Sequence, residues 1–370
     1  MVLTNQVSLI RINEVRFCRN VRFENASGIL MKFHTSVNSC PLISVCIPVF
    51  DTERYLSGCL RSVMLQDFDS FEIVVVSDNS RGRDEKGRSA KKIVKLCQKI
   101  FNRERKERGL LTVPVRFIEH RENRGLIEVR RTLCLEACGE YMTQVDSDDQ
   151  MEEGALKTLY EVATKNGMDI VHGTSTAGVF DEDGTFIPAK ENRYGTIYYG
   201  QLDGREIFHK WLIDGLFTAN TWGKLIKRDL WVKAYDNIPY TECNMADDLL
   251  LFFFLAQYAS SYVGIKDKVY RYRVNTGMSS RRKIDSLHKW KMICSTASVF
   301  TVLSTWISEN PDVLQPEELE NIRKRTSYYL SNNLLQLRET VIPELQPAAR
   351  EMLCDYWGSG FVEKMECTLG

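Results

Sequence analysis

The feature that most constrains the fold is an alternation of short apolar runs with amphipathic segments. The runs cover residues 42–49, 71–76, 113–118 and 141–145, and their apolar, β-branched character is typical of strands covered on both faces. Between the first two, apolar side chains recur at helical spacing. Because strands that alternate with helices pair in parallel through right-handed crossovers, the sequence predicts a Rossmann-like α/β fold. Its mostly parallel sheet would be flanked by helices.

The alternation weakens after a predicted helix at 152–166 and a strand at 169–172. Asp183-Gly184 predicts a hairpin turn. Residues 202–213 and 247–258 have helical patterns, and residues 224–231 are predicted as a helix or turn. Short strands are predicted near Tyr262 and Tyr270. From Asp285 onward the pattern is helical, so a helical C-terminal appendage is expected. We therefore divide the chain into a leader (1–40), a domain with two halves (41–165 and 166–280) and a helical region (281–370). The leader is expected to be disordered or to precede the true start, for which Met31 is a candidate.

Composition excludes several classes of protein. The 49 Lys and Arg residues balance the 49 Asp and Glu residues, so no overall positive field favours nucleic acid or an anionic membrane. The longest apolar run, 249–256, is too short to span a bilayer, and no signal peptide is recognisable. The 11 cysteines are scattered without a C-x-x-C pair, which fits a reducing compartment. A cytoplasmic location is expected, and peripheral contact with the inner face of the membrane is compatible with it.

The main candidate site is the acidic turn Asp146-Ser147-Asp148-Asp149, which follows the fourth apolar run. Two carboxylates at alternate positions are suitable ligands for a hard divalent cation, and such a cation could bridge the phosphates of a nucleotide diphosphate. The turn alone is equally compatible with capping of the helix that follows, because Asp is favoured at helix N-termini.

Polar residues at other predicted strand ends favour the first interpretation. Asp78 follows the second run and could accept a hydrogen bond from the imide of a base, and Asn123-Arg124-Gly125 precedes a helix that carries Arg130. A guanidinium there could bind phosphate. Ligands of open α/β sheets bind beyond the carboxyl ends of the strands, so these side chains are expected to converge on one cleft.

With these motifs, residues 41 to about 280 resemble the inverting family 2 glycosyltransferases with the GT-A fold, of the bacterial surface-polysaccharide type. The resemblance is carried by the segments 47–56, 77–80, 123–131, 139–149, 222–228, 245–252 and 270–279. The sequence departs from the family pattern at Asp51, where Asn is commoner, at Ser77, which replaces an acid, and at Asp247, which replaces Glu.

The resemblance implies a UDP-sugar donor, a Mn²⁺ or Mg²⁺ ion and a glycan or lipid-linked acceptor. The ion would bind Asp146 and Asp148. Implied donor contacts are Pro48, Val49, Phe50, Glu53, Asp78, Asn123, Gly125, Arg130, Asp146 and Ser147. Asp149 would cap the next helix or touch the sugar. Trp222 and Lys224 could contact a substrate, or could be a core Trp and a surface Lys.

Inverting transfer requires a carboxylate that takes the proton of the acceptor hydroxyl as it attacks the anomeric carbon. The resemblance implies Asp248, and Asp247 could exchange roles with it. Two alternatives remain open from the sequence. A nucleotidyltransferase shares the sheet and the acidic site but usually carries a Gly-rich basic loop after the first strand, which residues 50–53 lack. A catalytically idle module would bind a nucleotide or glycan without turnover.

Overall fold

The computed structural model describes residues 40–181, 185–190, 194–274 and 283–369. The predicted leader lies outside these ranges, apart from Cys40. The predicted turn residues Asp183 and Gly184, and Met278-Ser279 at the end of the family-like segment, also lie outside them.

The elements follow the predicted alternation in the first half and become mainly helical after residue 285. The strands are β1 (Ile43–Val49), β2 (Phe71–Ser77), β3 (Val115–Glu119), β4 (Tyr141–Gln144), β5 (Gln150–Met151), β6 (Ile170–Phe180), β7 (Phe186–Pro188), β8 (Gly200–Asp203), β9 (Lys224–Lys227) and β10 (Ser261–Arg273). The helices are α1 (Glu53–Met64), α2 (Ala90–Glu107), α3 (Leu126–Glu136), α4 (Ala155–Asn166), α5 (Arg205–Leu212), α6 (Arg228–Asp236), α7 (Asp247–Tyr258), α8 (Leu287–Cys294), α9 (Thr296–Glu309), α10 (Pro316–Glu339), α11 (Gln346–Trp357) and α12 (Ser359–Leu369).

Within the described residues, the strands form one sheet with the order β3-β2-β1-β4-β9-β6-β10-β5, to which β7 and β8 are attached through β6 and β10. The pairs β2–β3, β1–β2, β1–β4 and β6–β10 are parallel, whereas β9 runs antiparallel to both β4 and β6. Six strands therefore share one direction. The predicted α/β class with a mostly parallel, helix-flanked sheet is confirmed.

Each face of the sheet packs on its own layer of helices because successive side chains of a strand point to opposite faces. Val45 and Ile47 of β1 pack with residues of α1, α2 and α4. Cys46 belongs to the opposite layer, which contains residues of α3, α5, α6, α7 and α9. The apolar run 249–256 lies in this second layer as α7, buried on all sides. A smaller core joins α8, α10, α11 and α12. Among the described residues, no helix is both long and apolar enough to cross a membrane.

Three elements in the second half differ from the sequence-based expectation. The helix expected from residue 202 begins only at Arg205, because Gly204 with φ 53° ends the strand β8. The expected helix or turn at 224–231 contains β9, which lies between β4 and β6. The two short strands expected near Tyr262 and Tyr270 are one strand, β10, whose register shifts around Lys268. The exposed residues 266–268 interrupt its apolar pattern and make it look like two strands in the sequence.

Candidate functional site

The predicted site residues meet at the carboxyl edge of the sheet, where backbone strain also collects. Three non-glycine residues of the described chain have positive φ, namely Asp51, Asn79 and Ala246. Asp51 and Asn79 follow β1 and β2, and Ala246 directly precedes the acidic pair of α7. Such conformations are costly for residues with a side chain and tend to occur at functional sites. The strain therefore marks the same segments as the sequence motifs.

Arg130 of α3 joins two acidic motifs that lie a hundred residues apart in the sequence. Its side chain is only 5% exposed, its Nε lies 3.0 Å from Oδ2 of Asp247, and its Nη2 lies 3.6 Å from Oδ1 of Asp146. Nη1 donates a short hydrogen bond to Oγ1 of Thr221. The guanidinium therefore holds the acidic turn, the start of α7 and the segment before β9 together.

Burial and mutual repulsion shift the titration of this cluster. Burial raises the pKa of Asp146 to about 6, opposed by Arg130 and reinforced by Asp148. Burial likewise raises the pKa of Asp247 to about 6, again opposed by Arg130 and reinforced by Asp248. Burial lowers the pKa of Arg130, but the carboxylates of Asp247, Asp146 and Asp248 outweigh this effect and hold its pKa above the ordinary value. The guanidinium stays charged, and its charge keeps both carboxylates ionised at neutral pH.

The two residues at the start of α7 have different environments. Asp247 is 5% exposed and faces Arg130. Asp248 is half-buried, and its Oδ1 accepts a hydrogen bond of 2.8 Å from the backbone N–H of Leu249. A carboxylate at a helix N-terminus is stabilised by the helix dipole. Asp248 is thus the more accessible of the two residues, whereas Asp247 forms an ion pair with Arg130.

The acidic turn is fixed from both sides. Oδ2 of Asp149 accepts a hydrogen bond from the Tyr270 hydroxyl at 2.9 Å, and Oδ1 accepts one from the backbone N–H of Arg273 at 2.7 Å. The Tyr270 oxygen also accepts from the backbone N–H of Asp146, and the side chain of Ser147 lies 2.6 Å from Thr52 Oγ1. Asp149 is 1% exposed. It therefore ties the turn to β10, a contact that the sequence does not suggest.

Asp78 anchors the loop that precedes α3. Its Oδ2 accepts hydrogen bonds from the backbone N–H groups of Arg124 and Gly125 at 3.1 and 2.9 Å, and its Oδ1 lies 2.7 Å from Nδ1 of His120. Gly125 has φ 86° and is buried, whereas Asn123 is exposed. The sequence predicts that the Asp78 carboxylate binds the nucleobase of a donor. In the structure this carboxylate holds the loop before α3 in place.

The segment after β1 closes on the segment after β2. Oε1 of Glu53 accepts a hydrogen bond from the Ser80 hydroxyl at 2.6 Å, and Oδ1 of Asp51 accepts one from the backbone N–H of Gly82 at 3.0 Å. Pro48 and Val49 are buried in β1, and Phe50 is half-buried. Among the described residues, Oε2 of Glu53 is buried without a hydrogen-bond partner.

Sequence reasoning missed Thr221, which links Arg130 to the Oε1 atom of Gln144. Thr221 directly precedes the family-like segment that begins at Trp222, and this position could have identified it as a site candidate. Lys224 is not a surface residue. It is fully buried, and Nζ donates to the carbonyl oxygens of Thr218 and Asn220. Burial lowers the pKa of Lys224 well below its usual range, although Asp248 acts in the opposite direction.

The described part of the chain offers two carboxylates, Asp146 and Asp148, to the predicted cation. Among the described residues, no group of three or more His, Cys, Asp or Glu side chains is arranged to hold a metal ion, and Asp146 already lies next to Arg130. Mg²⁺ is commonly bound through one or two carboxylates, with phosphate oxygens and water as the other ligands. Asp146 and Asp148 fit a cation that arrives with a diphosphate, and do not form a closed metal cage.

Comparison with known proteins assigns the family. Residues 44–219 match the model of Glycosyl transferase family 2. Glycosyltransferase GlyG of Streptococcus pneumoniae serotype 4 is 28% identical over 250 residues, which cover 66% of this chain and 74% of GlyG. Glycosyltransferase GlyA of the same organism is 27% identical over 244 residues, which cover 65% of this chain but only 31% of GlyA.

Among solved structures, Staphylococcus aureus TarS 1–349 in complex with UDP-GlcNAc is 20% identical, with a TM-score of 0.47 and coverage of 88% of this chain and 92% of that chain. The family match contains β1 from Ser44 onward, the Asp78 loop, Arg130 and the acidic turn. Residues 44–219 therefore form a glycosyl transferase family 2 domain, and the chain is a glycosyltransferase.

Proposed function

We propose that this glycosyltransferase moves a hexose or N-acetylhexosamine from a UDP-sugar to a glycan or lipid-linked acceptor, with inversion at the anomeric carbon and with the assistance of Mn²⁺ or Mg²⁺. Residues 41–280 would carry the reaction, and the helices from residue 281 onward would support it. The proposed location is cytoplasmic, with peripheral contact to the inner face of the membrane where the acceptor is lipid-linked.

The observation that carries the proposal is the buried guanidinium of Arg130 between Asp146 and Asp247. It brings the acidic turn, where a diphosphate would bind, next to the acidic pair at the start of α7. Burying the charged groups of Arg130 and Asp247 is costly unless they are paired with each other. The proposed donor side and the proposed base side would therefore lie next to each other, as inverting transfer requires.

On the donor side, Asp146 and Asp148 are the proposed ligands of a cation that neutralises the charge of the leaving diphosphate. Asp78, Gly125 and the segment 48–53 are the proposed nucleotide contacts. The buried, unpaired Oε2 of Glu53 supports a ligand there, because buried polar groups in native proteins are normally hydrogen-bonded.

On the acceptor side, Asp248 is the proposed base. Its carboxylate is half-buried rather than enclosed, and only Oδ1 accepts a hydrogen bond from the helix N-terminus. Asp247 is enclosed and paired with Arg130, so its proposed role is to position Arg130. The acceptor oxygen would bond to the anomeric carbon as its proton moves to Asp248 and the bond to UDP breaks.

The test is hydrolysis and transfer with a panel of UDP-sugars and Mn²⁺. Asp148→Ala, like chelation, should abolish release of UDP, because the leaving diphosphate loses its counter-charge. Asp248→Asn should still bind UDP in calorimetry but lose transfer by about 10²–10⁴-fold, the usual contribution of a general base. Asp285→Asn, which alters an exposed Asp that pairs with Lys289, is the matched control. Release of UDP that survives Asp148→Ala would refute the mechanism.

A further inference from the structure

Four aromatic rings form a column beside the acidic turn. The ring of Trp222 stacks on that of Tyr270, with centroids 4.8 Å apart and planes at 14°. Trp222 also stacks on Tyr272 at 5.3 Å and 27°, and Tyr272 stacks on Tyr194 at 4.6 Å and 29°. The order along the column is therefore Tyr270, Trp222, Tyr272, Tyr194.

The fold determines this order. Tyr270 and Tyr272 are two residues apart in β10, so they point to the same face of the sheet, and Trp222 lies against both rings. The Ser175 hydroxyl on β6 donates a hydrogen bond to the carbonyl oxygen of Tyr194. A Cβ on Gly195 would lie 3.1 Å from two ring atoms of Trp222. The backbone next to Tyr194 thus lies directly on the indole, which a larger residue at 195 would displace.

The inner end of the column belongs to the proposed active site. The Tyr270 hydroxyl donates to Asp149 and accepts from the backbone N–H of Asp146. Burial raises the pKa of Tyr272, and the carboxylates of Asp149, Asp146 and Asp148 raise it further, so this ring too lies near the acidic turn. The outer end reaches the surface, since Tyr194 is 43% exposed while Tyr270 is 1% exposed.

We propose that Tyr194, supported by Tyr272, is a stacking platform for a sugar ring of the acceptor glycan. A pyranose has one face of C–H groups that packs on an aromatic ring, while its hydroxyls stay at the polar rim and remain solvated. The proposal rests on the proposed function. It assigns Tyr194 to the acceptor because the donor sugar is bonded directly to the diphosphate at the acidic turn, whereas Tyr194 is the fourth ring away from that turn.

The column also lowers the entropic cost of binding a sugar to Tyr194. Trp222 and Tyr272 hold Tyr194 in place before any ligand arrives, and an aromatic side chain loses little conformational entropy on binding. An exposed ring that is held in place by a second ring is therefore suited to recognising a sugar without a charged group.

The experiment measures binding of methyl β-glycosides of glucose, galactose, N-acetylglucosamine and N-acetylgalactosamine by saturation-transfer NMR, in the presence of UDP and Mn²⁺. Tyr194→Ala should raise the Kd for the sugar that binds best by about three- to tenfold, as expected for the loss of one aromatic contact. Tyr194→Phe should stay within about twofold of the original chain, because the ring is retained. Tyr199→Ala, on the same segment and 51% exposed but outside the column, is the matched control.

Hydrolysis of the UDP-sugar separates this proposal from the proposed function. All three variants should keep the donor KM and the hydrolysis rate of the original chain, while only Tyr194→Ala raises the KM for a transferable acceptor. A Tyr194→Ala variant with unchanged sugar affinity, a rise in donor KM alone, or no binding of any glycoside by the original chain would overturn the platform. Absence of UDP release by the original chain would instead count against the proposed function, and the binding measurement would still decide the role of Tyr194.

Discussion

Replacing Arg130 by Met tests whether the buried guanidinium holds the site together. Met has a similar length but no charge, so Asp247, with its side chain 7% exposed, loses a partner at 3.0 Å, and Thr221 loses a hydrogen bond. Asp146, with its side chain 28% exposed, loses a weaker contact. Breaking one side of a buried ion pair costs about 3–5 kcal/mol, because an uncompensated charge stays buried. We expect Arg130→Met to lower the free energy of unfolding by about that amount at pH 8.

The loss should depend on pH in a defined direction. Without the guanidinium the pKa of Asp247 rises further above its unfolded value, so the folded state binds a proton more readily than the unfolded chain. The loss is absent below the unfolded pKa, where both states are protonated, grows as the pH rises from the unfolded to the folded pKa, and is complete above the folded pKa. It should therefore be smaller at pH 5 than at pH 8. Urea unfolding followed by tryptophan fluorescence measures the free energy of unfolding of the variant and of the original chain at pH 5 and at pH 8.

Two further variants make this prediction refutable. Arg103→Met removes an exposed helix cation, with a side chain 77% exposed and 3.7 Å from Glu107, and should change stability by no more than about 0.5 kcal/mol. Adding Asp247→Leu to Arg130→Met removes the orphaned charge and should restore about 1–3 kcal/mol. The reasoning fails if Arg130→Met behaves like Arg103→Met, or if the double variant is less stable than Arg130→Met.

Two further predictions follow. The kcat/KM for the donor should fall as the pH drops through about 6, because Asp146 and Asp247 then take up protons and lose the pairing with Arg130. A profile that stays flat down to pH 5, or one left unchanged by Asp247→Asn, would contradict this assignment. Gly125→Ala should destabilise the chain by about 1–2 kcal/mol through its positive φ and should also raise the donor KM, because a Cβ there lies 3.2 Å from Asn244 Oδ1 and the Cys243 carbonyl. Gly87→Ala has a similar φ of 70° with no atom within 4 Å, so it isolates the backbone strain, and an equal donor KM in both variants would refute the crowding argument.

The sequence by itself determined the elements whose patterns are local. The runs at β1 and β2 are rich in apolar, β-branched residues, and the helices that follow them have clear apolar faces, so the α/β class follows from periodicity alone. The acidic turn and Asp78 were identified as site candidates because each follows a predicted strand, and Arg130 because it lies on the helix after Asn123-Arg124-Gly125. The acidic pair of α7 was identified through the family resemblance. Asp247–Tyr258 was predicted with the bounds that the structure gives.

Only the tertiary structure decided which of these residues meet. Arg130 pairs with Asp247 across more than a hundred residues, and no local pattern encodes a contact of that kind. The four-residue strand β9 lies between β4 and β6, and its identity depends on neighbours that are remote in sequence. Burial, too, is a property of the assembled molecule. It encloses Lys224, lets Asp149 bond to Tyr270 and leaves Asp248 the more accessible member of its pair. Sequence patterns report which way a side chain faces, whereas distance and solvent access arise only when the layers pack.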